Sequence, residues 1–178
     1  MKKILAFGAS SSRNSINKKL ATYAASQIEN VDVTILDLND FEMPLFSVDK
    51  EKNGMPEQAN IFKNHLREAD GIIISFAEHN GSYAAVYKNL VDWTSRIKSE
   101  NKIWEGKHMF LMASSPGGRG GKTVLGAALG SYNHQGGNIV ANFSLPRFND
   151  NFSVEEGITD SELAASFKEQ LNLFVQKI

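Results

Sequence analysis

The 178-residue chain contains no cysteine, which excludes disulfides, thiolate zinc sites and iron–sulfur clusters. Any redox chemistry it performs has to come from a bound cofactor. A dominant charge is missing as well: 19 Lys and Arg stand against 20 Asp and Glu, for a formal charge of −1. That balance removes the electrostatic case for a nucleic-acid partner or an anionic membrane surface. It also lacks the strong acidity of a small electron shuttle that docks on basic partners. Long apolar runs are absent too. The start, Met1-Lys2-Lys3-Ile4-Leu5-Ala6-Phe7-Gly8, has only four apolar residues before a glycine, whereas a secretory signal needs about 7–15 and a membrane span about 20. A cytoplasmic protein is the expectation. His65, His79, His108 and His134 form no H-x-x-x-H or similar cluster, so no metal is expected.

The remaining composition, 42% hydrophobic and 22% charged, is that of an ordinary globular protein, and the length suits a single domain over residues 1–178. Short apolar runs alternate with helical patterns. Ile4-Leu5-Ala6-Phe7 is unbroken and closed by Gly8, as expected of a strand buried on both faces. Ile16, Leu20, Ala24 and Ile28 follow as one stripe of a helix. Val31, Val33 and Ile35 alternate with polar residues, which places the second strand nearer an edge. Phe41 to Glu57 reads as a long surface loop, and such loops are uncommon unless functional. Ile61 to Ala69 is a helix, Ile72 to Phe76 a strand, and Val86, Leu90, Trp93 and Ile97 the stripe of a third helix. Met109 to Ala113 and Ile139 to Ala141 are strands flanking a helix from about Lys122 to His134. The last helix opens near Asp160, a good N-cap. Five strands and five helices in alternation predict an α/β three-layer sandwich with a parallel sheet in the order 2-1-3-4-5. Ligands bind such sheets at the carboxyl ends of the strands beside the switch point, so the loops after strands one, three and four matter most.

The first loop holds Ser10, Ser11, Ser12, Asn14 and Ser15 ahead of a helix start. Helix N–H groups, the positive end of the helix dipole and several hydroxyls converge there, and a phosphate dianion suits them. A helix cap alone needs one such residue. Gly8 stands alone, so the G-x-G-x-x-G dinucleotide fingerprint is missing. The loop after strand four, Ser114-Ser115-Pro116-Gly117-Gly118-Arg119-Gly120-Gly121-Lys122-Thr123, ends like a nucleotide P-loop. The required spacing, however, puts glycine where Pro116 stands, and counting from Gly117 leaves the loop one residue short.

The loop after strand three reads Ser75-Phe76-Ala77-Glu78-His79-Asn80-Gly81-Ser82-Tyr83, followed by Lys88-Asn89-Leu90-Val91-Asp92-Trp93. Here the chain resembles the NAD(P)H-dependent FMN reductases, flavodoxin-like enzymes that include quinone, azo-dye and chromate reductases. Their pattern is a Pro-Glu-Tyr-Asn-x-Ser turn and a helix with Leu-Lys-Asn-x-x-Asp-Trp. The likeness covers roughly residues 3 to 125 and takes in Met43-Pro44-Leu45-Phe46 with Asp49, Gly54 with Pro56, and Ala69-Asp70-Gly71-Ile72-Ile73. The family's proline is Ala77 here, its tyrosine is His79, and its phosphate-loop arginine falls on Ser12, with Arg13 next to it.

The resemblance implies that FMN (flavin mononucleotide) binds, with Ser10, Ser12, Ser15 and Asn17 on the phosphate. Ala77, Glu78, His79 and Asn80 would then line the ring and ribityl chain, and Ser114, Gly117 and Gly118 would touch the ring, the glycines letting the backbone approach it. His79 either donates a proton or simply packs. Arg119 either meets the 2′-phosphate of NADPH or stays solvated. Lys88, Asn89, Asp92 and Trp93 are structural, on a helix that contributes to the dimer contact in the family. The implied reaction is ping-pong transfer of hydride from NADPH or NADH through FMN to a quinone, flavin or similar small acceptor. It needs no catalytic side chain beyond the flavin shell. A homodimer or homotetramer is implied. A flavodoxin-like electron carrier and a flavin-free binding module remain as alternatives.

Overall fold

The structure, a computed structural model, describes residues 1–178. Its centre is a five-stranded parallel sheet of β1 (Lys2–Ala9), β2 (Val31–Leu36), β3 (Gly71–Phe76), β4 (His108–Ser114) and β5 (Asn138–Leu145). The spatial order is β2-β1-β3-β4-β5, the order expected from the alternation of strands and helices. β1 and β3 are buried on both faces. β2, on the edge, alternates half-buried and exposed residues, which is why its sequence alternates.

Helix α1 (Ile16–Ser26) and α5 (Ser161–Val175) cover one face, packing on Ile4, Ala6, Ile73, Phe110 and Met112. Helices α2 (Glu57–Glu68), α3 (Ala85–Thr94) and α4 (Lys122–Ser131) cover the other, over Leu5, Phe7, Ile72, Ile74 and Leu111. The side-chain period of two along each strand divides the core in this way. Helix ends differ modestly from expectation: α3 stops at Thr94, and α4 at Ser131, where a 3-10 turn Tyr132–Gln135 follows. β5 runs on to Leu145. Its register against β4 shifts between Met109 and Phe110, so Val140 is an extra residue in the pairing. No helix is long and apolar enough to cross a membrane.

The segment from Phe41 to Glu57 contains one helical turn, Val48–Glu51, and is held by α3. Asn89 accepts the Phe46 N–H at 2.8 Å, and the Pro44 carbonyl accepts from Trp93 Nε1 at 2.7 Å and from Asn89 Nδ2 at 3.2 Å. The Phe46 ring stands edge-on to Trp93, and Lys88 pairs with Asp92 one turn along the same helix. Asn89 and Trp93 therefore brace the long loop. On α2, Lys63 is fully buried; its ammonium pairs with Glu105 at 2.8 Å and donates to the carbonyls of Lys102 and Ile103. Burial pulls its pKa down, against the opposing attraction of Glu105. The cluster pins the segment leading into β4.

β2 is followed by Asp37, whose carboxylate accepts from Lys18 Nζ of α1 at 2.5 Å and from the Asn39 N–H at 2.9 Å. The Lys18 bond first, and the Asn39 bond second, pull its pKa down to about 2, from 3.8 when unperturbed. A lowered folded-state pKa contributes stability above the unfolded value, which is lost as pH falls through the folded one. Asp37→Asn is therefore expected to flatten the loss of stability between about pH 4 and pH 2, measured as urea midpoints across that range. A variant with the wild-type acid slope would show that the pair contributes nothing.

Candidate functional site

The carboxyl ends of β1, β3 and β4 lie side by side, and their loops meet there. After β1 the chain turns on its own hydrogen bonds: Ser10 N–H to the Gly8 carbonyl at 2.8 Å, Ser12 N–H to Ser10 Oγ at 3.1 Å, and Ser15 N–H to the Ser12 carbonyl at 3.0 Å. Ser15 is the N-cap of α1, its Oγ accepting from the Lys18 N–H at 3.1 Å. The hydroxyls of Ser10 and Ser15 thus each accept a backbone N–H, which leaves both hydroxyl protons to donate outward. The N–H groups of Ile16 and Asn17, in the first turn, have no carbonyl four residues back within the helix. No acidic residue sits in that turn. The result is a concentration of neutral donors at the positive end of a helix, the chemistry that holds a phosphate.

The helix can sit this close because of Gly8. A Cβ there would lie 2.3 Å from the Lys18 nitrogen and 2.7 Å from the Asn17 carbonyl carbon. Asn17 itself is buried, and its amide is taken up by the protein. Nδ2 donates to the Ser114 carbonyl at 3.1 Å, while Oδ1 accepts the Ser114 N–H at 2.9 Å and the Ser75 hydroxyl at 2.7 Å. One side chain therefore ties α1 to the ends of β3 and β4. Ser114 is equally occupied, its own hydroxyl donating to the Leu145 carbonyl at 2.8 Å.

The segment after β3 is a small hairpin in which Glu78 pairs with Tyr83 and His79 with Ser82. Asn80 (φ 52°) and Gly81 (φ 74°) form its two-residue turn, the left-handed pair for which Asn-Gly is the preferred sequence. One carboxylate oxygen of Glu78 is taken up by the protein. Its Oε2 accepts from the N–H groups of Thr123 and Val124, both at 3.0 Å, and so caps α4, whose own N-cap residue Gly121 has no side chain to do so. His79 is exposed. In the loop after β4, the Gly117 carbonyl accepts from the Arg147 N–H at 3.0 Å and the Ser115 hydroxyl at 3.2 Å. The glycines this loop requires are Gly120 and Gly121, both at positive φ; a Cβ on Gly120 would meet Ser144 Oγ at 2.5 Å. At Gly117 and Gly118 a Cβ would make only ordinary contacts, 3.9 Å from Ser115 Oγ and 3.8 Å from Arg147 Nε.

Between the three loops lies a cleft of about 350 Å³, within the range common for small-molecule sites. Ser10, Ser12, Ser15 and Asn17 line one end, and Ala77, Glu78, His79 and Ser114 the other. Asn80, Gly117 and Gly118 do not line it. Asn14, named with the serines of the first loop, does, and so do Ile16, Ser115 and Pro116. The last three lie inside or beside the serine-rich and glycine-rich tracts, so residue type marks the segments and not these individual positions. Arg147, whose backbone anchors Gly117 from a left-handed conformation (φ 45°), had no such signal.

A family profile described as NADPH-dependent FMN reductase matches residues 2–150. The uncharacterized protein MG342 homolog of Mycoplasma pneumoniae is 28% identical over 152 residues, 84% of this chain and 90% of that protein. A 2-hydroxy-1,4-benzoquinone reductase of a Burkholderia species is 34% identical over 108 residues, 61% of this chain and 57% of that one; the chain thus spans a little over half the length of that relative. Among solved structures, FerB of Paracoccus denitrificans, described as a flavoenzyme NAD(P)H:(acceptor) oxidoreductase, superposes with a TM-score of 0.79 at 22% identity, covering 99% of this chain and 97% of FerB. That likeness concerns the fold, which is flavodoxin-like. With the profile match extending from β1 through β5, the chain belongs to the NADPH-dependent FMN reductase family.

Proposed function

We propose that the cleft holds FMN and that the protein is an NAD(P)H oxidoreductase delivering electrons to a quinone or a similar small acceptor. The observation that carries the reading is the donor set at the start of α1: the outward hydroxyl protons of Ser10 and Ser15 and the open first-turn N–H groups, with no carboxylate among them. These groups would hold the phosphate. Ser12 and Asn14, both exposed on the same turn, extend the donor set. Asn17 serves by setting the distance between α1 and the sheet, and Ala77, His79 and the stretch from Ser114 to Pro116 would face the remainder of the molecule. When bound, FMN supplies the redox chemistry, taking hydride from NADPH or NADH and passing electrons to the acceptor. The protein's part is to bind, orient and limit water, so no protein nucleophile is required. A neighbouring cleft of about 400 Å³, with Phe41, Met43, Leu45 and Val86 in its walls, offers apolar surface for an acceptor. Leu45 and Val48, 71% and 64% exposed on the long loop, support self-association of the chain through that segment.

Titration of the purified protein with FMN, followed by flavin fluorescence, tests the binding. Steady oxidation of NADPH on addition of a quinone tests the activity. A protein that binds no FMN would sink the proposal, and one that binds FMN without oxidising NADPH or NADH would be an electron carrier.

Glu78 should matter through its brace between the hairpin and α4. Glu78→Ala removes the side-chain acceptor of two backbone N–H groups, a loss of about 1–3 kcal/mol in local order. FMN affinity is expected to fall about tenfold, equivalent to 1.4 kcal/mol, while Glu78→Gln, which keeps a carbonyl acceptor, retains most of it. Equal affinities in all three proteins would show that the brace does not shape the cleft.

A further inference from the structure

A second groove, of about 380 Å³, runs along the outer face of α1 and meets the FMN cleft at Ser15, which lines both. One wall is the α1 stripe Ser15, Lys18, Lys19, Thr22, Tyr23 and Ser26, with Arg13 from the preceding turn. The opposite wall is Phe152 and Val154 of the small hairpin that pairs Phe152–Ser153 with Gly157–Ile158. Tyr23 and Phe152 meet edge to face with ring centroids 5.5 Å apart. That contact requires Gly157, where a Cβ would fall 2.3 Å from the Tyr23 ring.

Three cations and no carboxylate line this groove; Glu155 and Glu156, at the hairpin tip, lie outside it. Lys18 is balanced by Asp37. Arg13 and Lys19 take part in none of the chain's ion pairs and are exposed, so their charge is available to a ligand. The groove thus combines two free cations, hydroxyls and an aromatic wall, and is continuous with a site for a nucleotide phosphate. Phosphates pair with the former groups and a heteroaromatic base packs on the latter.

We infer that this groove is a subsite for phosphorylated adenosine, the AMP half of a dinucleotide whose other end reaches the FMN cleft. The inference rests on the FMN reading of that cleft, and two dinucleotides share the required chemistry, FAD and NADPH.

Calorimetric titration of AMP into the full-length, FMN-loaded protein tests it, comparing wild type with the double variant Arg13→Ala/Lys19→Ala. AMP is expected to bind the wild type, to bind the variant about tenfold more weakly, and to bind more tightly than inorganic phosphate. FMN affinity should be the same in both proteins. Absence of AMP binding at millimolar concentration, or binding indifferent to the two substitutions, overturns the inference. Inorganic phosphate binding as tightly as AMP also overturns it, because the aromatic wall would then recognise nothing. A tighter grip on FAD than on FMN by the unloaded protein, lost in the variant, assigns the groove to FAD. A raised KM for NADPH at unchanged kcat assigns it to the pyridine nucleotide, and no change in either overturns the dinucleotide role. If FMN fails to bind at all, the earlier reading falls separately, and AMP titration of the unloaded protein still decides the groove.

Discussion

Gly8→Ala is expected to destabilise the protein by about 3 kcal/mol or more and to lower FMN affinity at least tenfold. The new methyl would lie 2.3 Å from the Lys18 nitrogen, 2.6 Å from its Cα and 2.7 Å from the Asn17 carbonyl carbon. These are backbone atoms of α1, so no side-chain rotation relieves the overlap and the helix itself has to retreat from β1. Gly8 has no left-handed φ; glycine is needed there for close approach and not for conformational freedom. Retreat separates the first-turn N–H groups and the Ser15 hydroxyl from the loops after β3 and β4, and the Asn17 bonds to Ser75 and Ser114 lengthen with it. Urea unfolding and FMN titration of the same preparation measure both effects. Wild-type values in both would mean that α1 does not lie against β1 as closely as 2.3 Å implies.

Asn17→Ala is expected to cost about 3–5 kcal/mol, because it leaves the Ser114 N–H and carbonyl and the Ser75 hydroxyl buried without partners, at about 1–3 kcal/mol for each group. Asn17 is 2% exposed, Ser75 is fully buried and Ser114 is 1% exposed, so water has little access to replace the amide. This outcome separates two roles. If the Asn17 amide met the phosphate directly, alanine would weaken FMN binding and leave the unloaded protein nearly as stable as wild type. As a strut, Asn17 matters before any ligand arrives, and the loss appears in the urea midpoint of the unloaded protein. A variant of unchanged stability would return Asn17 to the phosphate.

Much of the architecture was legible because it depends on local periodicity. The unbroken run Ile4 to Phe7 reads as a doubly buried strand, and the alternation at Val31, Val33 and Ile35 as an edge; the sheet places β1 inside, between β2 and β3, and β2 outermost. Ser15 and Asp160 cap their helices as serine and aspartate do, accepting from Lys18 and Leu163. Less legible was the stretch from Asn142 to Thr159. There the end of β5, a helical turn at Phe148–Asn151 and a hairpin of two two-residue strands carry no regular pattern of their own. Their placement depends on contacts such as Tyr23 against Gly157, between residues remote in sequence.

The serine-rich turn from Ser10 to Asn17, the Glu78-to-Tyr83 segment and the tract from Ser114 to Gly121 could all be found from residue type, spacing and their position after apolar runs. Those properties reside in a few consecutive residues, and strand order follows from the handedness of the crossovers. The duties of the individual polar side chains could not be found in that way. Asn17 bonds to residues 58 and 97 positions away, and Glu78 to Thr123, 45 positions on. A hydrogen bond forms or fails within a few tenths of an ångström. Whether an amide meets a ligand or a neighbouring strand is therefore settled by how closely α1 and α4 pack on the sheet, a distance that exists only once the chain has folded.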